Sequence, residues 1–331
     1  MKLNFFVRYW KRLAASVLFV ILFFASLTIG SLNSVNLREM LRGGETAMSV
    51  LRHSRLPRTA AVVLSAAGLS VAGMIMQAIC RNKFMSPSTS GTTDAAALGL
   101  LISFICFSRQ PGIIQTLFAF AFALVSTMLF TSVVTRLAIR ETVYIPLIGM
   151  MYGGLLSSVT SVLAYRFEAM QMMTSLGLGS FARIGGFAAV YIVVVPLVFA
   201  VLYSVKFSII GMGEDFSKNL GLDYGRVVFS GLVTVALITA ATFVSVGPLP
   251  FVGLIIPNMA AAFYGDNLKR SITDMMIFGA DFVLICDIAG RLVIYPFEMS
   301  VSLTISVAGG VIFTAYLIGE LYGWKNSGRA R

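Results

Sequence analysis

Arg55-Leu-Pro-Arg58, then twenty-two residues without a charge from Thr59 to Cys80, then Arg81-Asn-Lys83, is the stretch that decides how this chain is read. An uncharged run of that length crosses the hydrocarbon core of a bilayer as a helix. Both edges of the span are basic, and the positive-inside rule accounts for only one of them. The other arginines need a partner.

The rest of the chain supports a membrane reading. Of 331 residues, 58% are hydrophobic and 12% charged, and the mean hydropathy is +0.89. That leaves too little polar surface to cover a soluble domain. The formal charge of +11 sits between apolar runs, where it orients helices and meets anionic head groups. It is therefore not a nucleic-acid signature.

Apolar segments of spanning length recur. The first, Ala14 to Gly30, follows Lys2, Arg8, Lys11 and Arg12 and reads as a retained first helix that starts in the cytoplasm. After it come Thr59 to Cys80, Ala95 to Ser108, Ile113 to Val134, Val143 to Tyr165, Phe187 to Val205, Val227 to Val246, Ile272 to Ile288 and Met299 to Ile318. A shorter run, Phe251 to Tyr264, contains Gly253 and Pro257 and reads as a short or broken span. The expected class is an all-α polytopic membrane protein of about ten transmembrane helices, with both termini cytoplasmic. That topology puts Arg81/Lys83, Arg136/Arg140, Lys206 to Arg226, Lys269/Arg270 and Lys325/Arg329/Arg331 inside. The loop Ser31 to Arg58 stays outside, carrying Arg38, Arg42, Arg52, Arg55 and Arg58 against Glu39 and Glu45. An external basic excess of that size points to function.

The spans are poor in ionisable groups. Asp94, Asp281 and Asp287 are the candidates, and no series of acids, histidines or arginines passes through successive helices as a proton or sodium relay requires. The one histidine, His53, reads as a solvated loop residue, and Cys80, Cys106 and Cys286 lack metal or redox spacing and read as buried small hydrophobes. No cofactor or metal site is expected. Nor is there a GxxxxGK[ST] phosphate loop, so active transport would draw its energy from a partner. An ion-coupled secondary transporter and an integral-membrane enzyme are the alternatives, the first short of relay residues and the second of a catalytic constellation.

Gly68 to Gly73, Gly149 with Gly153/Gly154, and Gly309/Gly310 read as close helix crossings. Arg58-Thr-Ala-Ala-Val-Val-Leu-Ser and Arg226-Val-Val-Phe-Ser-Gly231 each open a span followed by a Gly/Pro-rich loop, and the two spans run in opposite directions. This is a weak inverted repeat.

Arg55-Leu-Pro-Arg58, Gln77, Arg81-Asn82, Ser86-Pro87, Gly91, Gly247-Pro248, Phe251 to Pro257 and Asp287-Ile-Ala-Gly-Arg291 together resemble the iron-siderophore and vitamin B12 permeases of ABC importers, over nearly the whole chain. Asn82 to Asp94, Ile256-Pro-Asn258 and Gly265 to Lys269 are similar to permeases for ferric catecholate-type siderophores of the enterochelin, petrobactin and anguibactin group. Many other members carry His where Asn258 stands and Arg where Ala261 stands, a departure that weakens a vitamin B12 reading. A vitamin B12 or haem importer of the same family is the alternative cargo assignment.

The resemblance implies a type II importer permease, a single transmembrane domain over 1–331 in the bacterial inner membrane. It implies a second permease subunit, two cytoplasmic ATPases and a periplasmic or lipid-anchored substrate-binding protein. It places docking of that protein on Arg55, Arg58 and Arg291, for which the bidentate guanidinium suits acidic knobs; interfacial snorkelling is the alternative. It places ATPase coupling on the segment 213–226, in particular Phe216, Leu220, Gly221 and Leu222. Gly221 would let two short helices meet through a positive φ. Gln77, Asp94, Asn258, Asp281 and Asp287 are candidates for the pathway or for helix packing. Asp281 is no part of the family pattern.

Overall fold

The computed structural model describes residues 2–29, 45–107, 112–136, 144–184, 188–264 and 268–327. Arg38, Glu39, Arg42, Arg140, Arg329, Arg331 and Gly265 to Asn267 lie outside the described residues. Among the described residues ten long helices run in order: α1 (Lys2–Thr28), α2 (Leu56–Cys80), α3 (Thr92–Cys106), α4 (Gly112–Arg136), α5 (Tyr144–Arg166), α6 (Ala188–Ile210), α7 (Tyr224–Val246), α8 (Val252–Tyr264), α9 (Leu268–Leu292) and α10 (Val301–Ser327). Six of the ten, α2, α4, α5, α6, α7 and α10, contain segments long and apolar enough to cross a membrane, and α1, α3 and α8 contribute shorter apolar stretches. The remaining one, α9, carries Asp274, Asp281, Asp287 and Arg291, which keep its hydropathy low. The count of ten from the apolar runs stands.

The boundaries shift for physical reasons. α1 extends back to Lys2 through the basic segment, because Lys and Arg are good helix formers. α8 is continuous rather than broken, with Pro257 inside it. Proline there leaves the carbonyl of Gly253 without its helical donor, and α2 packs against that carbonyl. A methyl group at Gly73 would lie 1.8 Å from Gly253 O, so only glycine permits this crossing.

The two halves of the chain are built alike. α2 leads through a buried turn into the 15-residue α3, and α7 leads through Gly247 to Phe251 into the 13-residue α8. Each short helix rises only about 20 Å, less than the roughly 30 Å hydrocarbon core. The preceding coil completes the crossing. Such coil survives at depth only when its polar groups are satisfied inside the protein. Ser86 N donates to Thr89 Oγ1 at 2.9 Å, Ser90 Oγ donates to Pro87 O at 3.2 Å, and the Thr92 and Thr127 hydroxyls meet at 2.8 Å.

Packing follows the same exchange. α2, from the first half, packs against α8 and α9, while α7, from the second, packs against α3 and α4. The inverted repeat is thus interlocked rather than two separate bundles. α2 is the central element, with 83% of its span buried, whereas α5 and α10 are 22% buried and present apolar faces outward.

Candidate functional site

At one end of the bundle the chain assembles an ionic cluster. Arg58, in the first turn of α2, donates from Nη1 to both oxygens of Glu298 at 3.0 and 2.8 Å and from Nη2 to Asp287 Oδ1 at 2.9 Å. Arg291, one helical turn beyond Asp287 on α9, donates to the other Asp287 oxygen and to Ser26 Oγ and the carbonyls of Ser26 and Ile29. Arg55 ends a short π-helical turn and donates to the carbonyls of Leu27 and Thr28 at 2.9 and 3.0 Å. The last carbonyls of α1 have no helical donor of their own, and two guanidinium groups supply them. The cluster therefore pins α1, α2, α9 and the loop before α10 together.

This changes the reading of the outer arginines. Arg55 and Arg291 are buried, at 7% and 3% exposure, and their forks are spent on the end of α1 and on Asp287. Neither offers an open guanidinium to an incoming protein in this conformation. Arg58 differs, because Glu298 on its fork is itself 22% exposed. Asp287, a pathway or packing candidate from sequence, sits between two arginines and serves packing. Glu298 escaped the sequence analysis, since nothing local marks an acid 240 residues from its partner.

The opposite end holds the coupling candidates. Glu214–Asn219 forms one short helix, closed by Gly221 at φ +76°. Gly221 N donates to Lys218 O at 2.9 Å and Leu222 N to Ser217 O at 3.0 Å, the hydrogen-bond pattern of a glycine-capped helix end. The expected positive φ is present. The second helix of the expected pair is α7 itself, capped by Asp223, which accepts from Arg226 N at 3.1 Å. Ser217 is buried and ties the short helix to Gly213 O at 2.6 Å. Met212 before this helix, Phe216 on it and Leu220 at its end are exposed apolar residues. Glu214 holds the Lys218 ammonium above its ordinary pKa through a 2.7 Å contact, but the pair is exposed and adds little stability. Behind the segment a cleft of about 820 Å³ is lined in part by Arg81, Thr135, Glu214 and Tyr224.

Gln77 and Asn258 are brought together. Gln77 Nε2 donates to Lys83 O at 2.9 Å, and Asn258 Nδ2 donates to the carbonyls of Lys83 and Leu254, both at 2.8 Å. They latch the end of α2 to α8, and both also line a pocket of about 370 Å³. Asp94 opens α3, and α5 lies so close that a methyl group at Gly153 would be 2.7 Å from Asp94 Oδ2. Asp281 is buried in mid-helix, and neither carboxylate oxygen has a hydrogen-bond partner among the described residues. One heptad earlier on α9, Asp274 pairs with Arg12 of α1 at 2.7 Å.

Interlocked halves, with six helices long and apolar enough to cross a membrane, define a polytopic membrane protein. The chain belongs to the FecCD transport family, whose model matches residues 18–319. It is 41% identical over 306 residues to the petrobactin import system permease protein YclN of Bacillus subtilis, covering 91% of this chain and 96% of that one. It is 36% identical over 267 residues to the ferric-anguibactin transport system permease protein FatD of Vibrio anguillarum, covering 80% and 85%. Among solved structures, a metal-chelate type ABC transporter in an inward-facing conformation matches with a TM-score of 0.77 at 22% identity, over 94% of this chain and 99% of that one. The protein is a multi-pass member of the bacterial inner membrane.

Proposed function

We propose that this chain is the permease subunit of an ATP-driven importer that carries a ferric siderophore of the catecholate type into the cytoplasm. The observation that carries the proposal is the 41% identity to a petrobactin permease across 91% of the chain. The apolar faces of α5 and α10 provide a surface for a second permease subunit, the same chain or a sister. With both termini in the cytoplasm, the Gly221 end faces two ATPase subunits, and the exposed apolar residues Met212, Phe216 and Leu220 are the contact they would grip. ATP binding there shifts the short helix, and the helices around the pathway switch between outward- and inward-open arrangements.

The ionic cluster then faces the external binding protein. Arg58 is the docking arginine, and a carboxylate on the incoming lobe takes the place of Glu298 on its fork. Arg55 and Arg291 act behind it by fixing the end of α1. A large ferric complex needs a path that does not trap it, and the spans described carry no buried Lys or Arg cluster away from this end.

Deletion tests the cargo. Cells relying on this permease should lose growth on iron-loaded catecholate siderophore while cobalamin uptake is unchanged. Loss of cobalamin uptake with siderophore use intact would overturn the cargo and leave the fold standing.

A further inference from the structure

A cavity beneath the short helix Met170–Gly177 has no role in the account above. It is a half-open pocket of about 310 Å³ between the first turns of α3, the second half of α5 and that helix, with Phe243 and Pro248 on its border. This is the lower end of the size range of small-molecule sites. It lies toward the Arg58 end, where Ser180 N donates to Val246 O and Ser300 bonds to Gly179 O.

Asp94 is the one ionisable side chain among the described residues that line the cavity. Its side chain is half-buried, and a methyl group placed on Gly153 would lie 2.7 Å from Oδ2. Three of the five hydroxyls on the wall donate to backbone carbonyls of their own helices, whereas those of Thr93 and Ser157 are not so engaged. Thr160 donates to Leu156 O at 2.8 Å, Ser161 to Ser157 O at 2.9 Å and Thr174 to Met170 O at 2.8 Å. A hydroxyl carries one donor and two lone pairs, so these three oxygens can offer the cavity only acceptors. The thioethers of Met170 and Met173 add further soft acceptors. A carboxylate with acceptor oxygens and no cationic side chain on the wall repels anions. It attracts a group that brings both positive charge and several N–H donors.

We propose that this cavity is a binding site for a protonated alkylamine. The amine is either carried on an arm of the imported complex or free in the external medium. The first source rests on the importer reading and the second does not.

The test has two arms. Binding of putrescine to the purified permease in nanodiscs, by calorimetry, should be saturable in wild type and weakened at least about tenfold in Asp94→Asn, with an unchanged unfolding midpoint. Gly153→Ala, which displaces the carboxylate without changing charge, should weaken it as well. Absent binding, or equal binding by wild type and Asp94→Asn, overturns the proposal. In the second arm, cells take up two ferric catecholates that differ only in secondary amines against ethers in their arms. Selective loss of the amine-bearing complex in Asp94→Asn assigns the site to cargo. Equal transport of both, with putrescine binding still dependent on Asp94, assigns it to a free amine. If neither complex is transported even by wild type, the importer reading fails while the binding arm stands. Equal loss of both with a lowered unfolding midpoint and no putrescine binding shows that Asp94 only caps α3.

Discussion

Asp287→Asn should destabilise the protein by an amount the cluster geometry sets. Asp287 is 2% exposed and is the shared acceptor of Arg58 at 2.9 Å and of Arg291. Removing one partner of a buried pair typically costs about 3–5 kcal/mol, because the remaining charge keeps its desolvation penalty. Arg58 retains Glu298, so the loss falls mainly on Arg291, which is left with carbonyl dipoles and the Ser26 hydroxyl. Asparagine preserves one acceptor oxygen, which puts the expected cost near the lower limit, about 3 kcal/mol. Unfolding from mixed micelles by SDS titration measures it. A cycle with Arg291→Met should show the double variant less destabilised than the sum of the singles by about 1 kcal/mol or more. An Asp287→Asn protein within about 0.5 kcal/mol of wild type, the range of an ordinary surface change, would refute the argument that this carboxylate neutralises the buried Arg291 together with Arg58.

Gly221→Val forces a β-branched residue to φ +76°, a strain of about 1–2 kcal/mol, although the new Cβ meets nothing within 4 Å. Transport should fall several-fold with normal expression, and Gly221→Asn should retain most of it; normal transport by the valine variant removes the coupling assignment. Glu298→Gln frees Arg58 from its internal acid, so affinity for the loaded binding protein should rise at low salt, whereas Arg58→Glu should lower it about tenfold or more. Both effects should shrink as salt shortens the screening length to about 8–10 Å, and unchanged affinity in both variants makes the cluster purely structural. Gly73→Ala must push α2 off the Gly253 carbonyl and should cost about 1–3 kcal/mol by overpacking, read in the same SDS titration; a neutral result would mean the crossing can relax.

What the sequence made legible is what local pattern controls. Hydropathy located the ten helices, the small residues marked the α2–α8 and α5 crossings, and Gly221 disclosed its positive φ. The four-residue spacing of Asp287 and Arg291 was a visible signal of an ion pair on one helix face. Their meaning was not legible, because it depends on Arg58 and Glu298, which join α2 to the loop before α10. Read along the chain, the outer arginines look like unopposed external charge. In space, Asp287 and Glu298 neutralise part of it and α1 carbonyls absorb more. The partners of Gln77 and Asn258, candidates for pathway or packing, were not legible for the same reason, since their shared acceptor, Lys83 O, is a backbone atom of a turn that only the fold brings within reach.

The most direct test of the account is uptake of an iron-loaded catecholate siderophore into proteoliposomes containing this permease, its partner ATPase and the loaded binding protein. The account predicts accumulation that requires ATP on the side of the ATPase and persists when proton and sodium gradients are collapsed. Accumulation driven by either gradient without ATP, or none under ATP with all partners present, would contradict it.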